Sequence, residues 1–572
     1  LILAAYQRWG EACPEHLIGD FAFAIWDANR QSLFCARDIV GDRPFYYYLG
    51  SGLFIFGSEA KALFCHPAVP RRLNESMVGF FLTSVIPDIR LTFYEDVLRL
   101  PPAHRMTVNA GGARIERYWS PDLSRELRLK SDAEYAAAFR DVFTKAVRCR
   151  MRSAFPLGSE LSGGLDSSAV TSMARQILQE RGQLPLKTFS VVYNQTPEAD
   201  EREYINAVIE QGGLEPHFVA LDDVGPLHDP EGVFHISDET FTSFTVFIPW
   251  AINRRVSESG VRVMLTGLDG DTTVSYGIEY LNDLARADRW GEFAAEARAL
   301  AGKHQLLSLN HLVQTHGFDY LTALAQQGKW GAFARGVNGL AGQFKLPRGH
   351  LWRQYGVKPI TPRPVLNVWH KFRGGNGANG ATPVEHYFVN PQFSGRVALD
   401  AQIAEIERRE QQPFQPARQF HANAITADAL PFMYEWANRS ATAFGVEARH
   451  PFGDRRLIEF CLSLPPAQKL HNGWTRVVMR RAMDGILADK VCWRGGKTLN
   501  TPAFSRGLRE IDGERVRQAV EKPAPALGEY IDLNTLQLSY RQYRETGSTD
   551  DEINLWKAAT LSMWLEQSGV TA

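Results

Sequence analysis

The sequence predicts an α/β protein: a parallel sheet with flanking helices, a mostly β segment ahead of it and a mostly helical insertion within it. Three observations carry that prediction. From Leu157 onward apolar strand-like runs alternate with helical stretches; residues 1 to about 120 hold short β-like runs between turn residues; residues from about 280 to 428 are mostly helical by pattern. At 572 residues, 44% of them hydrophobic, the chain can build several sizeable cores.

The first unit, residues 1–121, is read from the runs Phe21–Trp26, Leu33–Ala36 and Leu53–Phe56, which Asp27-Ala28-Asn29 and Gly50-Ser51-Gly52 separate. The second unit, residues 131–572, opens on a capping box, Ser131-Asp132-Ala133-Glu134. Tyr135, Phe139, Val142, Phe143, Ala146 and Val147 then recur on one helical face. Arg148, Arg150 and Arg152 near the end of that helix are read as solvent-facing cations favoured by the dipole.

Next comes the strand that starts at Leu157, followed by strands over 188–193, 217–221 and 261–265, with helices around 167–181, 201–211 and 247–258 between them. Such alternation argues for a parallel sheet covered on both faces, whose ligands lie beyond the carboxyl ends of the strands. Two loops must lie there. One is Ser162-Gly163-Gly164-Leu165-Asp166-Ser167-Ser168, which opens a helix whose free N–H groups and dipole favour an anion. It has no lysine of the Walker A kind to follow a terminal phosphate, and it adds Asp166, able to hold Mg²⁺, so it suits a pyrophosphate that leaves as a unit. The other is Thr266-Gly267-Leu268-Asp269-Gly270-Asp271, whose two carboxylates among glycines are costly as structure alone. A metal or phosphate partner would account for them.

The insertion, about 280–428, carries a weak internal repeat. Trp290-Gly291-Glu292-Phe293 with Ala299-Leu300-Ala301-Gly302 recurs as Trp330-Gly331-Ala332-Phe333 with Gly339-Leu340-Ala341-Gly342, and the tryptophans are read as packing anchors. Pro- and Gly-rich pieces such as Arg373-Gly374-Gly375-Asn376-Gly377 predict exposed loops. The closing helix, with Leu555, Trp556, Leu561, Trp564 and Leu565, reads as core-packed.

A net charge of −1, from 63 basic and 64 acidic residues, gives no whole-chain electrostatic case for nucleic acid or an anionic membrane, and no apolar stretch is long enough to span a bilayer. The six cysteines are scattered without a C-x-x-C pair, which predicts a reducing cytoplasm and no zinc site. Leu1-Ile2-Leu3-Ala4-Ala5 lacks an initiator methionine and a basic n-region, so it reads as a truncated start rather than a signal peptide.

Taken together the motifs resemble the asparagine synthetases. Gly19–Asp27, Arg37-Asp38 with Gly41 and Pro44, and Ser58–Leu63 are similar to the second half of that family's glutaminase domain, an α+β domain of the N-terminal-nucleophile type. No glutaminase residue carries over, and Cys13 and Cys35 read as packed thiols. The Ser-Gly-Gly-Leu-Asp-Ser-Ser loop and the later Thr-Gly-x-x-Gly-Asp resemble the family's ATP-pyrophosphatase domain. The resemblance implies that Ser162, Gly163, Gly164, Leu165, Asp166, Ser167 and Ser168 hold ATP. It also implies that Asp166 and Asp271 hold Mg²⁺, that Thr266 and Gly267 lie along the nucleotide, and that Val191 lies by adenine. Phe444–Asp454 resembles a further motif, which makes Glu447 and Asp454 candidates to orient the acceptor or the amine, with Arg449 as countercharge; a Glu447–Arg449 pair that only fixes a loop is the competing reading. Lys497 stands near the family's α-phosphate lysine.

The chain departs from asparagine synthetases at Leu268, Asp269 and Thr272, where they carry glutamate, glycine and glutamate. β-Lactam synthetases and lasso-peptide cyclases vary the same loop and use an internal amine. The activity implied is an AMP- and pyrophosphate-forming amide ligase that adenylates a carboxylate, aspartate or an analogue. Glutamine or an internal amine would supply the nitrogen, and the family also admits a homodimer. A cyclase and a non-catalytic scaffold are the alternatives.

Overall fold

The computed structural model describes residues 1–50, 52–241, 243–361, 388–410, 414–547 and 549–569. The β-rich start forms β1 (Ala22–Asp27), β2 (Ser32–Arg37), β3 (Tyr46–Gly50), β4 (Leu53–Gly57), β5 (Val97–Arg99), β6 (His104–Asn109) and β7 (Gly112–Arg117). They assemble as two antiparallel sheets, ordered β1-β2-β6-β7 and β4-β3-β5, with helices Ile2–Trp9 and Glu75–Thr83 completing an α+β unit. Asp27 ends β1 because its Oδ1 accepts the amides of Asn29 and Arg30 at 3.0 and 3.1 Å. Cys13 and Cys35 are fully buried here, and burial pushes their thiols up to about 11 and about 12. They are packed thiols, as expected.

At the second unit Ser131 Oγ accepts the Glu134 amide at 3.2 Å, while Glu134 Oε2 reaches back to the amide of Lys130 rather than of Ser131. The helix Asp132–Arg150 that follows corrects one expectation. Arg150 does not face solvent: it is 6% exposed and donates to Asp454 at 2.9 Å and to Asp20 at 3.0 Å. Two carboxylates from distant parts of the chain outcompete water for it.

The parallel sheet consists of β8 (Leu157–Glu160), β9 (Leu186–Val192), β10 (Leu214–Ala220), β11 (Val263–Leu265) and β12 (Glu447–Arg449), ordered β10-β9-β8-β11-β12 with every pair parallel. The first four lie within a few residues of their predicted places, as do helices Leu165–Glu180, Arg202–Ile209 and Phe247–Glu258. β12 was not anticipated; three residues are too short for a periodic signal. The pleat divides the core. Leu161, Leu186 and Leu265 pack with helices Asp132–Arg150 and Leu165–Glu180, whereas Phe189, Met264 and Ala448 pack with helices Phe247–Glu258 and Ala429–Thr442. The chain runs outward from β8 to β10 and returns on the other side with β11 and β12. The strand order therefore reverses between β8 and β11, which opens a crevice at their carboxyl ends.

The insertion is helical where it is described. Helices Tyr280–Arg286, Trp290–Lys303, Asp319–Gln326 and Trp330–Phe344 share a core that includes Leu281, Phe293, Leu324, Phe333 and Leu340. The repeated tryptophans differ in role. Trp290 is 6% exposed and lies so close to Gly339 that a Cβ there would sit 2.1 Å from its Cδ1, whereas Trp330 is 38% exposed and stacks on Trp352. Further on, Phe393 and Leu399 join Leu555, Trp556, Leu561 and Trp564 of the closing helix in another core. The loops expected around Arg373–Gly377 lie outside the described residues.

Candidate active site

The crevice between β8 and β11 receives both predicted loops. Gly164 N-caps the helix Leu165–Glu180, and Ser168 closes the first turn with its amide on Gly164 O at 3.2 Å. Gly163 has φ +73°, and a Cβ there would meet Tyr204 Cβ at 2.9 Å, so glycine is required on two counts. Ser162 and Ser167 fix the loop: Ser167 Oγ accepts the Ser162 amide at 3.1 Å and lies 2.8 Å from Ser162 Oγ. Leu165 and Ser168 turn inward with 5% and 0% exposure. Ser168 therefore brings neither its hydroxyl nor a free amide to the surface of the loop. Val191, in β9, is half-buried.

The second loop is pressed against the first. A Cβ on Gly267 would lie 2.4 Å from Ser167 N, and one on Gly270 would lie 2.6 Å from Asp166 Cγ. Asp269 takes φ +65° and turns into the core, where its Oδ2 accepts from the Tyr434 hydroxyl at 3.1 Å and burial pushes its carboxyl up to about 7. Leu268, at the first departure from the family pattern, packs with Val40, Trp119 and Tyr434, so it fastens this loop to the N-terminal unit.

Arg476 links the two metal candidates. Its Nη1 donates to both oxygens of Asp166 at 2.7 and 2.6 Å. The guanidinium lies 4.8 Å from the ring centre of Tyr276, whose hydroxyl donates to Asp271 Oδ2 at 3.1 Å. Burial works against its charge, but Asp166, Tyr276 and Asp271 outweigh that and hold Arg476 above its usual range. The sequence offered no signal for this residue.

Lys497 arrives at the same place: its Cε lies 4.0 Å from where a Cβ on Gly164 would stand. The segment is held by Arg494, which donates to Gly163 O at 3.1 Å and to Glu201 Oε1 at 2.6 Å and lies 3.7 Å over the Tyr204 ring. Glu201 Oε1 also accepts the Thr498 amide at 3.2 Å, so one carboxylate pins both sides of the lysine. Lys497 itself makes no hydrogen bond or ion pair among the described residues.

Glu447 and Asp454 are placed elsewhere. Glu447 begins β12, three residues or roughly 10 Å before the edge where His450 stands. Its carboxylate takes Arg43 of the N-terminal unit at 2.7 Å and Arg449 at 2.9 Å. Asp454 caps helix Arg455–Ser463 and is filled by Arg150 and Arg456 at 2.9 and 2.8 Å. Neither carboxylate is hydrogen-bonded to the paired loops among the described residues.

Comparison with known proteins gives the family. A family model described as "Asparagine synthase" matches residues 138–566, well over half of the chain, and one described as "Glutamine amidotransferase domain" matches residues 1–119. The chain belongs to the asparagine synthase family. Members of the asparagine synthase family are carbon–nitrogen ligases. The chain is 23% identical over 525 residues to "Asparagine synthetase [glutamine-hydrolyzing] 3" of Bacillus subtilis, covering 89% of this chain and 72% of that protein. It is 28% identical over 290 residues to "Amidase chyE" of Penicillium rubens, covering 47% of this chain and 42% of that one. To "Asparagine synthetase [glutamine-hydrolyzing]" of Zea mays it is 28% identical over 278 residues, covering 47% and 42%. The chain thus spans less than half the length of the latter two. No described helix is long and apolar enough to cross a membrane.

Proposed function

We propose that the chain is an ATP-dependent, AMP- and pyrophosphate-forming amide ligase that adenylates a carboxylate, aspartate or a close analogue, and transfers an amine to it. One observation supports this above the others. The loops at 162–168 and 266–271 meet in the reversal crevice with no space for a Cβ at Gly267 or Gly270, and they carry Asp166 and Asp271 into one site with Arg476. That is a receptacle for a pyrophosphate together with its counterions.

A carboxylate is a poor acyl donor because its leaving group would be oxide. Attack on the α-phosphate of ATP replaces that group with AMP. The amides at the start of helix Leu165–Glu180 and the hydroxyls of Ser162 and Ser167 bind the departing pyrophosphate. Arg476, which pairs with Asp166 here, turns to the phosphates, and Lys497 stabilises the crowded α-phosphate and then the tetrahedral oxyanion. Val191, Thr266 and Gly267 line the path of the nucleotide. Asp166 and Asp271 suit Mg²⁺: two carboxylates beside bound phosphates fit an ion that keeps waters and substrate oxygens as ligands, and it would neutralise charge on them. Glu447 and Asp454 orient the site indirectly, by tying β12 and the next helix to the N-terminal unit.

Glutamine-derived ammonia is the nitrogen source favoured by the amidotransferase match at residues 1–119. Leu268 favours the second reading, a cyclase with an internal amine, because the glutamate that asparagine synthetases place there is replaced by an apolar fastening to the N-terminal unit. The cytoplasm suits either reaction. The test is ATP–pyrophosphate exchange with L-aspartate, L-glutamate and peptide acids. Asp166→Ala and Asp271→Ala should each abolish exchange and keep a cooperative thermal transition; exchange surviving in either variant would sink the assignment.

A further inference from the structure

The reaction described above leaves Glu160, His450 and Asp42 without a task. The registers Ser159↔Leu265 and Leu265↔Arg449, continued by one residue, bring Glu160, Thr266 and His450 into a single row across the carboxyl ends of β8, β11 and β12. Thr266 Oγ1 accepts the Leu268 amide at 3.2 Å and lies 2.7 Å from His450 Nδ1, so its own proton is directed at the imidazole. His450 Nε2 faces Asp42 Oδ1 at 3.3 Å, and both residues are buried, at 2% and 1% exposure. The contact lacks hydrogen-bond geometry, so what Asp42 supplies is a buried negative charge, which favours a proton on Nε2 and leaves Nδ1 as the proton acceptor. At the other end of the row Glu160 is half-buried, and its carboxylate makes no hydrogen bond or ion pair among the described residues. Desolvation pushes that carboxyl up, and Lys497 is the foremost charge that opposes the shift. A cation arriving beside Glu160 would supply the partner that the fold does not give it.

We propose that this row is the ammonium site of the ligase: Glu160 binds the ammonium ion next to Thr266, and Thr266 passes one of its protons to His450, which Asp42 orients. The proposal rests on the adenylation reading given above. Thr266 Oγ takes a proton from the ammonium nitrogen as its own proton moves to His450 Nδ1, and the resulting imidazolium faces Asp42. The ammonia so formed attacks the acyl carbon. A C–N bond forms, the C–O bond to phosphate breaks, AMP leaves with the electron pair, and the nitrogen releases its remaining surplus proton to solvent. Thr266 is the catalytic residue of this step; His450 acts through it, and Asp42 positions His450. The other charged groups around His450 are Asp20, Arg43 and Arg150, and the Tyr434 ring lies 5.2 Å from the imidazole.

The test gives the full chain Mg·ATP and whichever acid of the panel above exchanges fastest, with either ammonium chloride or hydroxylamine as the amine at pH 7. Hydroxylamine is neutral there and has no proton to shed before it attacks. His450→Gln should lower ammonium-supported amide formation about 100-fold while hydroxamate formation falls no more than about threefold. Asp42→Asn, which keeps the volume but loses the tautomer selection, should show the same selective loss. Glu160→Gln should raise the KM for ammonium about tenfold and leave that for hydroxylamine within about twofold. Equal losses with the two amines in the His450 and Asp42 variants would reduce both residues to structural elements and overturn the proposal. Wild-type protein that exchanges pyrophosphate but makes no amide from ammonium would overturn it as well. Wild-type protein that exchanges pyrophosphate with none of the acids would instead overturn the adenylation reading on which it rests.

Discussion

Gly267→Ala adds a single methyl group at the seam between the two loops. The new Cβ would stand 2.4 Å from Ser167 N, 2.6 Å from Ser167 Cα and 2.9 Å from the Asp166 carbonyl carbon, where ordinary contact begins at 3.4 Å. All three neighbours are backbone atoms, so no side chain can swing away and the loops must part by about 1 Å, a displacement that costs roughly 100-fold in rate where reacting groups are held by position. The overpacking itself should cost about 1–3 kcal/mol in folding stability. The readouts are kcat/KM for ATP–pyrophosphate exchange and the urea midpoint, with Gly302→Ala as the control. Gly302 lies in the last turn of helix Trp290–Lys303 with nothing within 4 Å of its added Cβ, so its replacement should stabilise by about 0.5–1 kcal/mol and leave exchange untouched. Exchange by the Gly267→Ala variant within about threefold of wild type would mean that the seam between the loops does not position the chemistry.

Lys497→Met should reduce exchange about 10²–10³-fold with stability unchanged, since the lysine holds no partner in the fold; a loss under tenfold would remove it from the reaction. Glu201→Gln should act through Arg494 and Thr498, lowering exchange about tenfold by loosening the segment that carries Lys497, and the Glu201→Gln/Lys497→Met double variant should be no worse than Lys497→Met alone. Glu435 joins the two units, accepting Arg37 at 2.6 Å, Arg99 at 3.1 Å and the Tyr46 hydroxyl at 2.9 Å. Glu435→Gln should cost about 3–5 kcal/mol by urea denaturation, because buried Arg37 loses its carboxylate and buried Arg99 keeps only Glu239. Burial alone would raise this carboxyl, but Arg37, Arg99 and Arg439 overcome it and hold it at about 2. The folded value lies below the unfolded value of about 4.3, so the contribution is present above that pH and is lost as pH falls toward 2. The acid side of a stability profile should therefore be shallower in Glu435→Gln than in wild type.

The parallel sheet was legible because its strands and helices are written in runs of local hydrophobicity, and the loops were legible because glycine, serine and aspartate cluster where such runs end. Reading went wrong where the cause was distant. Arg150 follows the ordinary pattern of a helix C-terminus, and nothing near it in sequence announces Asp20 or Asp454. β12 is three residues long, and its place beside β11 is set by pairing with a strand 184 residues earlier. Glu447 makes the pair with Arg449 that was its competing reading, and the Arg43 that joins it comes from 404 residues away.

By itself the sequence determined the succession of elements, the helix start that can hold pyrophosphate and the presence of an aspartate in each loop, because turn chemistry and periodicity act within a few residues. Only the tertiary structure decided which groups meet there. Arg476 reaches Asp166 across 310 residues, Arg494 reaches Glu201 across 293, and His450 joins Thr266 to Asp42 of the other unit. A buried charge takes whatever countercharge the packing brings to it, and that choice is made by the way layers stack, which no local pattern encodes.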